Sequence, residues 1–230
     1  MDLDALNSKL PLEFRLGRRL VVAKKAELLD IHWPTVCRLE LTQPIFLTLI
    51  QLIGVLCPYI KACWPEWFLP PRVILKKQKS GWDDEFCREK TAYELLKPIQ
   101  GTFIPYFYGE VTYDASPALV FSAIDGNNLF YLARHKFPEN KDETLRKSLK
   151  DAFNALSSYG VEYRDEKLDN ILWVDEQVMI VDFEQVKFDA WEENSNSASA
   201  ESLMSEFKRT RNPGRLSSYR RALLSANGPR

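Results

Sequence analysis

Nine glycines are spread through 230 residues and none falls in a G-x-G-x-x-G string, so no glycine-rich phosphate cradle can be read from the chain. Histidine is nearly missing, with only His32 and His135. The four cysteines, Cys37, Cys57, Cys63 and Cys87, form no C-x-x-C pair and have no histidine at zinc-ligand spacing. That excludes a legible zinc site and makes a reduced intracellular protein the expectation. Neither charge is in excess: 31 Lys plus Arg face 32 Asp plus Glu, a formal net charge of −1. No global field therefore favours nucleic acid or an anionic membrane, and no specific nucleic-acid binding is expected. The opening "MDLDALNSKL" has two acids and no basic start followed by an apolar run, so no secretory signal is expected, and cytoplasm or nucleus is the expected compartment. Internal repeats are absent.

One long apolar run stands out, "LTQPIFLTLIQLIGVLCPYI" over 41–60, uncharged and close to the length of a membrane span. Pro44, Gly54, Pro58 and its β-branched residues suit two buried strands with a turn better, so membrane insertion is not expected. Beyond Glu193, "EENSNSASAES" is polar and low in complexity. From Ser205 onward Lys208, Arg209, Arg211, Arg215, Arg220, Arg221 and Arg230 face only Glu206. Residues 191–230 read as a basic, disordered tail, and 1–37, with its "RLGRRLVVAKK" cluster, as an N-terminal extension.

Between these ends the periodicities are clear. "RVILKKQK" follows Pro70-Pro71 and starts β-branched, which predicts a strand ending near Gly81. "WDDEFCREKTAYELLKPI" has acids in its first turn, Phe86, Tyr93 and Leu96 on one face and Pro98 beyond its end, which predicts a helix. "TFIPYFYGEVTY" and "PALVFSAIDG" predict two strands across a "DASP" turn. Leu145, Leu149, Phe153 and Leu156 predict a second helix, with Asn140 as its cap, Glu143 at the box position and Gly160 as its stop. "ILWV" and "VMIVDF", divided by "DEQ", predict a hairpin.

Charged residues cluster at the joints of this pattern. Asp182 follows three apolar residues and so ends a buried strand, where a carboxylate needs a partner. "VILK", 73–76, resembles the V-A-I-K of the third strand of protein kinases; "YRDEKLDN", 163–170, resembles H-R-D-L-K-x-x-N; and "VDFE", 181–184, resembles the D-F-G segment. The three occur in the family's order. The chain is similar over roughly 70–186 to short fungal protein kinase-like proteins. The resemblance implies an α+β, two-lobed fold: a small β-rich N-lobe over about 38–122 and a truncated, minimal helical C-lobe over about 126–190.

It also implies ATP and Mg²⁺ as cofactors and transfer of the γ-phosphoryl group to a hydroxyl, a reaction that needs positioning and charge neutralisation more than covalent help. Lys76 would grip the α- and β-phosphates, steadied by Glu89, which is placed ahead of Glu85 because it precedes "YELL". Asp165 would orient the acceptor hydroxyl and Lys167 steady the group in transfer. Asn170 and Asp182 would hold the metal. The backbone from Phe121 to Ile124, Ala123 included, would read the base, with Leu172 beneath it. Arg164 would pair with a neighbouring carboxylate, while Glu166 and Asp169 are left to solvent.

The departures are specific. The glycine loop is missing ahead of Lys76, Tyr163 stands in place of histidine, Glu184 stands in place of glycine, and after Asp182 the chain runs only to Arg230. Choline-kinase-like phosphotransferases resemble the "DFE" string, so Glu184 alone does not disqualify Asp182. Three expectations follow: a phosphotransferase acting on Ser/Thr of a protein or on another hydroxyl; a small-molecule phosphotransferase of the aminoglycoside or choline kinase kind; or a pseudokinase scaffold that binds nucleotide or a partner without turnover.

Overall fold

Alternation of apolar and polar residues in Leu-Glu-Phe-Arg-Leu puts Leu12, Phe14 and Leu16 on one face of an extended chain, and all three are buried. The structure, a computed structural model, describes residues 11–29, 35–43, 64–135, 137–189 and 195–212. The apolar segment from Pro44 to Ile60 and the basic residues past Asn212 lie outside the described residues, so the readings made for them do too. Among the described residues no helix is long and apolar enough to cross a membrane. The chain is mixed α+β and divides into two units, Met1–Gly101 with Pro105–Ile124, and Thr102–Ile104 with Asp125–Arg230.

The first unit is built on a six-stranded antiparallel sheet. Its strands are β1 (Leu12–Leu16), β2 (Arg19–Leu28), β3 (Val36–Leu41), β4 (Arg72–Lys77), β5 (Phe107–Tyr113) and β6 (Ser116–Ser122), in the order β1-β2-β3-β4-β6-β5. Residues 12–28 are thus part of the sheet, and the expected N-terminal extension over 1–37 is corrected. The basic cluster misled because Arg15, Lys24 and Lys25 are exposed while Val21, Ala23 and Ala26 point inward, and because its one buried charge, Arg19, is held inside by donating to the Glu66 carbonyl at 2.9 Å. Gly17 makes the β1–β2 turn with φ of +54°, and a Cβ there would lie 2.9 Å from Glu66 Oε1. Asp114 and Ala115, both at positive φ, make the β5–β6 turn.

Among its described residues this unit has one α-helix, α1 (Asp83–Leu95), which buries Phe86, Glu89, Ala92 and Tyr93 along one stripe. Tyr93 anchors it, its ring centroid 4.5 Å from that of Phe121 and 5.9 Å from that of Phe107. Three acids in its first turn complement the helix dipole.

The second unit contains β7 (Asn127–Asn128), α2 (Leu129–Arg134), α3 (Asp142–Ser157), β8 (Glu162–Tyr163), β9 (Ile171–Val174), β10 (Gln177–Ile180), β11 (Val186–Lys187) and α4 (Ser195–Arg211). Its small sheets run β10-β9-β7 and β11-β8. α3 buries the predicted stripe of Leu145, Leu149, Phe153 and Leu156, and Ser148 and Ala152 beside it. Asn140 does not cap it: the residue lies in a 3-10 turn, and Lys141 precedes the helix without a side-chain cap bond. Gly160, at φ +68°, ends it as predicted, its N–H donating to Ser157 O. The β9–β10 hairpin turns on Asp175 and Glu176, both at positive φ.

The expectation that 191–230 is disordered fails over Ser195–Arg211. Ala200, Leu203, Met204 and Phe207 fall at helical spacing in α4 and are buried. At its far end Arg211 grips Asp142 with two donated hydrogen bonds, 2.6 and 2.7 Å. Hydrogen bonding to Arg211 holds the Asp142 carboxyl below the ordinary aspartate range, against the opposing effect of its partial burial. A folded pKa below the unfolded one contributes stability that is fully present above about pH 4 and is lost as pH falls through the folded value. Asp142→Asn should therefore lower the urea midpoint at pH 7, with the gap from wild type closing as pH drops below about 4.

Candidate functional site

An ammonium buried in a sheet needs a carboxylate, and β4 and α1 supply the two. Lys76 sits on a strand paired on both sides, opposite Val36 of β3 and Leu119 of β6, and is only 7% exposed. Its Nζ lies 2.6 Å from Glu89 Oε2, in the buried stripe of α1. Glu85, the competing choice, is half-buried and lies 3.8 Å from Arg88. Phe121 closes β6 with its ring packed against Tyr93 and Phe107, and is thus core by its side chain. Ala123 and Ile124, half-buried, follow as non-strand chain.

In the second unit the charged loop is held from several directions. Asp165 accepts 2.7 Å hydrogen bonds from Asn170 Nδ2 and Lys167 Nζ. Asn170 also donates to the Asp165 carbonyl at 3.3 Å, leaving its own amide oxygen available as a ligand. Asp165, above all through its hydrogen bond, raises the pKa of Lys167; Asp182 and Asp169 add smaller pulls. Arg164 pairs with Glu162 at 3.2 Å on the surface.

Tyr163, standing where the resemblance would put histidine, links this loop to the strand end. Its hydroxyl donates to the carbonyl of Val181 at 2.9 Å, and its ring meets those of Phe183 and Phe153 edge-on. Asp182 adopts φ of +64°, a conformation rare for a residue with a side chain, at the end of the strand that buries Val178 and Ile180. That strand is fixed along its outer edge, where Ser148 Oγ and Phe103 O accept from the N–H groups of Val178 and Ile180. Leu172 is half-buried on β9, opposite Met179 of β10 and Asn128 of β7.

Carboxylate oxygens of Asp182 and Glu184 lie within 4.8 Å of one another, close enough to share one divalent cation. Both groups offer carboxylate oxygens, hard donors of the kind that suits Mg²⁺ rather than zinc or copper. The residues present therefore fit the ion that the resemblance implies. Glu166 departs from its expected exposure: it accepts a hydrogen bond from Ser199 of α4, a contact that required α4 to be recognised as a helix. No protein-family model matches this chain, and no curated protein sequence matches it.

Proposed function

We propose that the chain is an ATP-dependent phosphotransferase of the protein kinase-like kind, moving the γ-phosphoryl group to the hydroxyl of a Ser/Thr side chain or of a small compound. The observation that carries this is the buried Lys76–Glu89 pair. Replacing such a pair with packed apolar residues is typically neutral or stabilising, so stability alone gives little reason to keep it. A lysine aimed by a carboxylate is what recognition of phosphate requires.

When bound, Mg²⁺ neutralises charge on the phosphate oxygens and orients the group in transfer. Asp182 and the Asn170 amide oxygen would hold it, with Glu184 near enough to contribute. Asp165 would accept or orient the acceptor's hydroxyl proton, its carboxylate aimed by Asn170 Nδ2 and balanced by Lys167. Lys167, kept protonated by Asp165, would steady negative charge as it develops. Lys76 would fix the α- and β-phosphates, and the chain at Ala123 and Ile124 would contact the base.

A second reading, nucleotide binding without turnover, is favoured by the missing glycine string ahead of Lys76. Both readings require nucleotide binding. At nucleotide about 100-fold above Kd, Mg²⁺-ATP should raise the wild-type melting temperature by about 5–10 °C. Lys76→Met should abolish the shift and Asp182→Ala should reduce it. No shift at millimolar nucleotide would remove both readings.

A further inference from the structure

The low-complexity segment that reads as a tail reaches back to the loop that carries Asp165. Asn196 is fully buried, and both its polar side-chain atoms are bonded: Oδ1 accepts from Tyr163 N–H at 3.1 Å, while Nδ2 donates both hydrogens, to Val161 O and Ser157 Oγ, each at 2.8 Å. One turn on, Ser199, 4% exposed, donates its hydroxyl hydrogen to Glu166 Oε1. These contacts bracket Asp165, one two residues before it and one immediately after it.

The helix that brings them is fixed elsewhere. Leu203, Met204 and Phe207 are buried, and the Phe207 ring meets Phe137 edge-on at 5.3 Å. Arg146 and Lys150 of α3 both pair with Glu201, and Arg211 grips Asp142. The helix therefore cannot slide without breaking buried contacts along its length, and it transmits that rigidity to the loop through two polar side chains. A fully satisfied buried amide specifies one geometry, because any displacement strands a donor or an acceptor away from water.

We propose that α4 is a brace for the Tyr163–Asn170 loop, with Asn196 and Ser199 as positioning residues that hold Asp165 where transfer needs it. The inference rests on the phosphotransferase reading for its catalytic consequence, and on the structure alone for the brace itself. A misplacement of about 1 Å at a reacting group can cost about 100-fold in rate, so loss of the brace should be felt in turnover more than in nucleotide binding.

The test uses the full chain and two readouts. By amide hydrogen exchange, without nucleotide, the Tyr163 N–H should exchange at least about tenfold faster in Asn196→Ala than in wild type, since its acceptor is gone. With γ-labelled ATP and Mg²⁺, Asn196→Ala should lower kcat by about 10- to 100-fold while KM for ATP stays within about twofold. Ser199→Ala, the milder variant should Asn196→Ala fail to fold, should show the same split at smaller size, and Ser199→Thr, which retains the hydroxyl, should recover most of it. Unchanged Tyr163 exchange in folded Asn196→Ala, or a loss confined to KM, overturns the brace. A wild-type chain that transfers no phosphate overturns the functional reading and with it the catalytic consequence; the exchange result is read independently, so the two failures are distinguishable.

Discussion

Glu89→Ala is expected to destabilise the first unit by about 3–5 kcal/mol, the usual cost of removing one member of a buried ion pair. Its carboxylate lies 2.6 Å from the Lys76 ammonium, and the two side chains are 2% and 9% exposed, so solvent does little to screen what remains. The double variant Lys76→Met with Glu89→Leu should recover most of that loss, because neither charge is then buried alone. It should nevertheless bind no nucleotide. Urea midpoints for wild type, Lys76→Met, Glu89→Leu and the double variant give the coupling energy directly, and Mg²⁺-ATP melting shifts on the same samples separate stability from recognition. A double variant as unstable as Glu89→Ala would mean that the pair serves the fold, and the main argument for a phosphate-binding lysine would be lost.

Asp182→Ala carries the second large effect. The carboxylate sits at φ +64° at the end of a buried strand, a backbone position that alanine adopts poorly and that the flanking core holds in place. In the proposed metal-holding role, its loss would remove several kcal/mol of charge stabilisation from the transition state, which corresponds to a turnover on the order of 1000-fold lower. Asp165→Ala should fall by a comparable factor with less effect on nucleotide binding, since the role proposed for Asp165 is at the acceptor hydroxyl. A variant of Asp182 that retained wild-type turnover would show that the metal set lies elsewhere.

The central elements were legible because their periodicities are strong and their ends carry chemical punctuation. β4 follows two prolines, α3 has an uninterrupted leucine and phenylalanine stripe ended by Gly160, and the β9–β10 hairpin turns on two acidic residues that tolerate positive φ. What escaped did so for physical reasons. β1 alternates strictly, but β2 breaks its alternation at a bulge between Ala23 and Lys25 and buries Arg19 while exposing Leu20, so a paired ladder resembled a basic extension. α4 opens on serine, asparagine and alanine, residues with little apolar signal, and its stripe at 200, 203, 204 and 207 emerges only when the polar residues are counted as one exposed face. Asn196 is buried in that opening turn, where composition suggests solvent.

Among the candidate site residues, helical spacing puts Glu85 and Glu89 on one face alike, and only the resemblance, through "YELL", favours Glu89 and marks Tyr163 as a replacement for histidine. That Tyr163 ties the loop to Val181 through its hydroxyl could not be read from a one-dimensional pattern, because the contact spans two elements. The same holds for Glu166, whose partner lies on a helix that composition concealed.

Transfer of a phosphoryl group is the central step proposed, and single-turnover incubation with γ-labelled ATP and Mg²⁺ measures it most directly. Label should leave ATP for an added hydroxyl acceptor or for the chain itself in the wild type, and should stay on ATP in Asp165→Ala and Asp182→Ala. Label that remains on wild-type ATP with every acceptor class tried, or that transfers equally well in both variants, would contradict it.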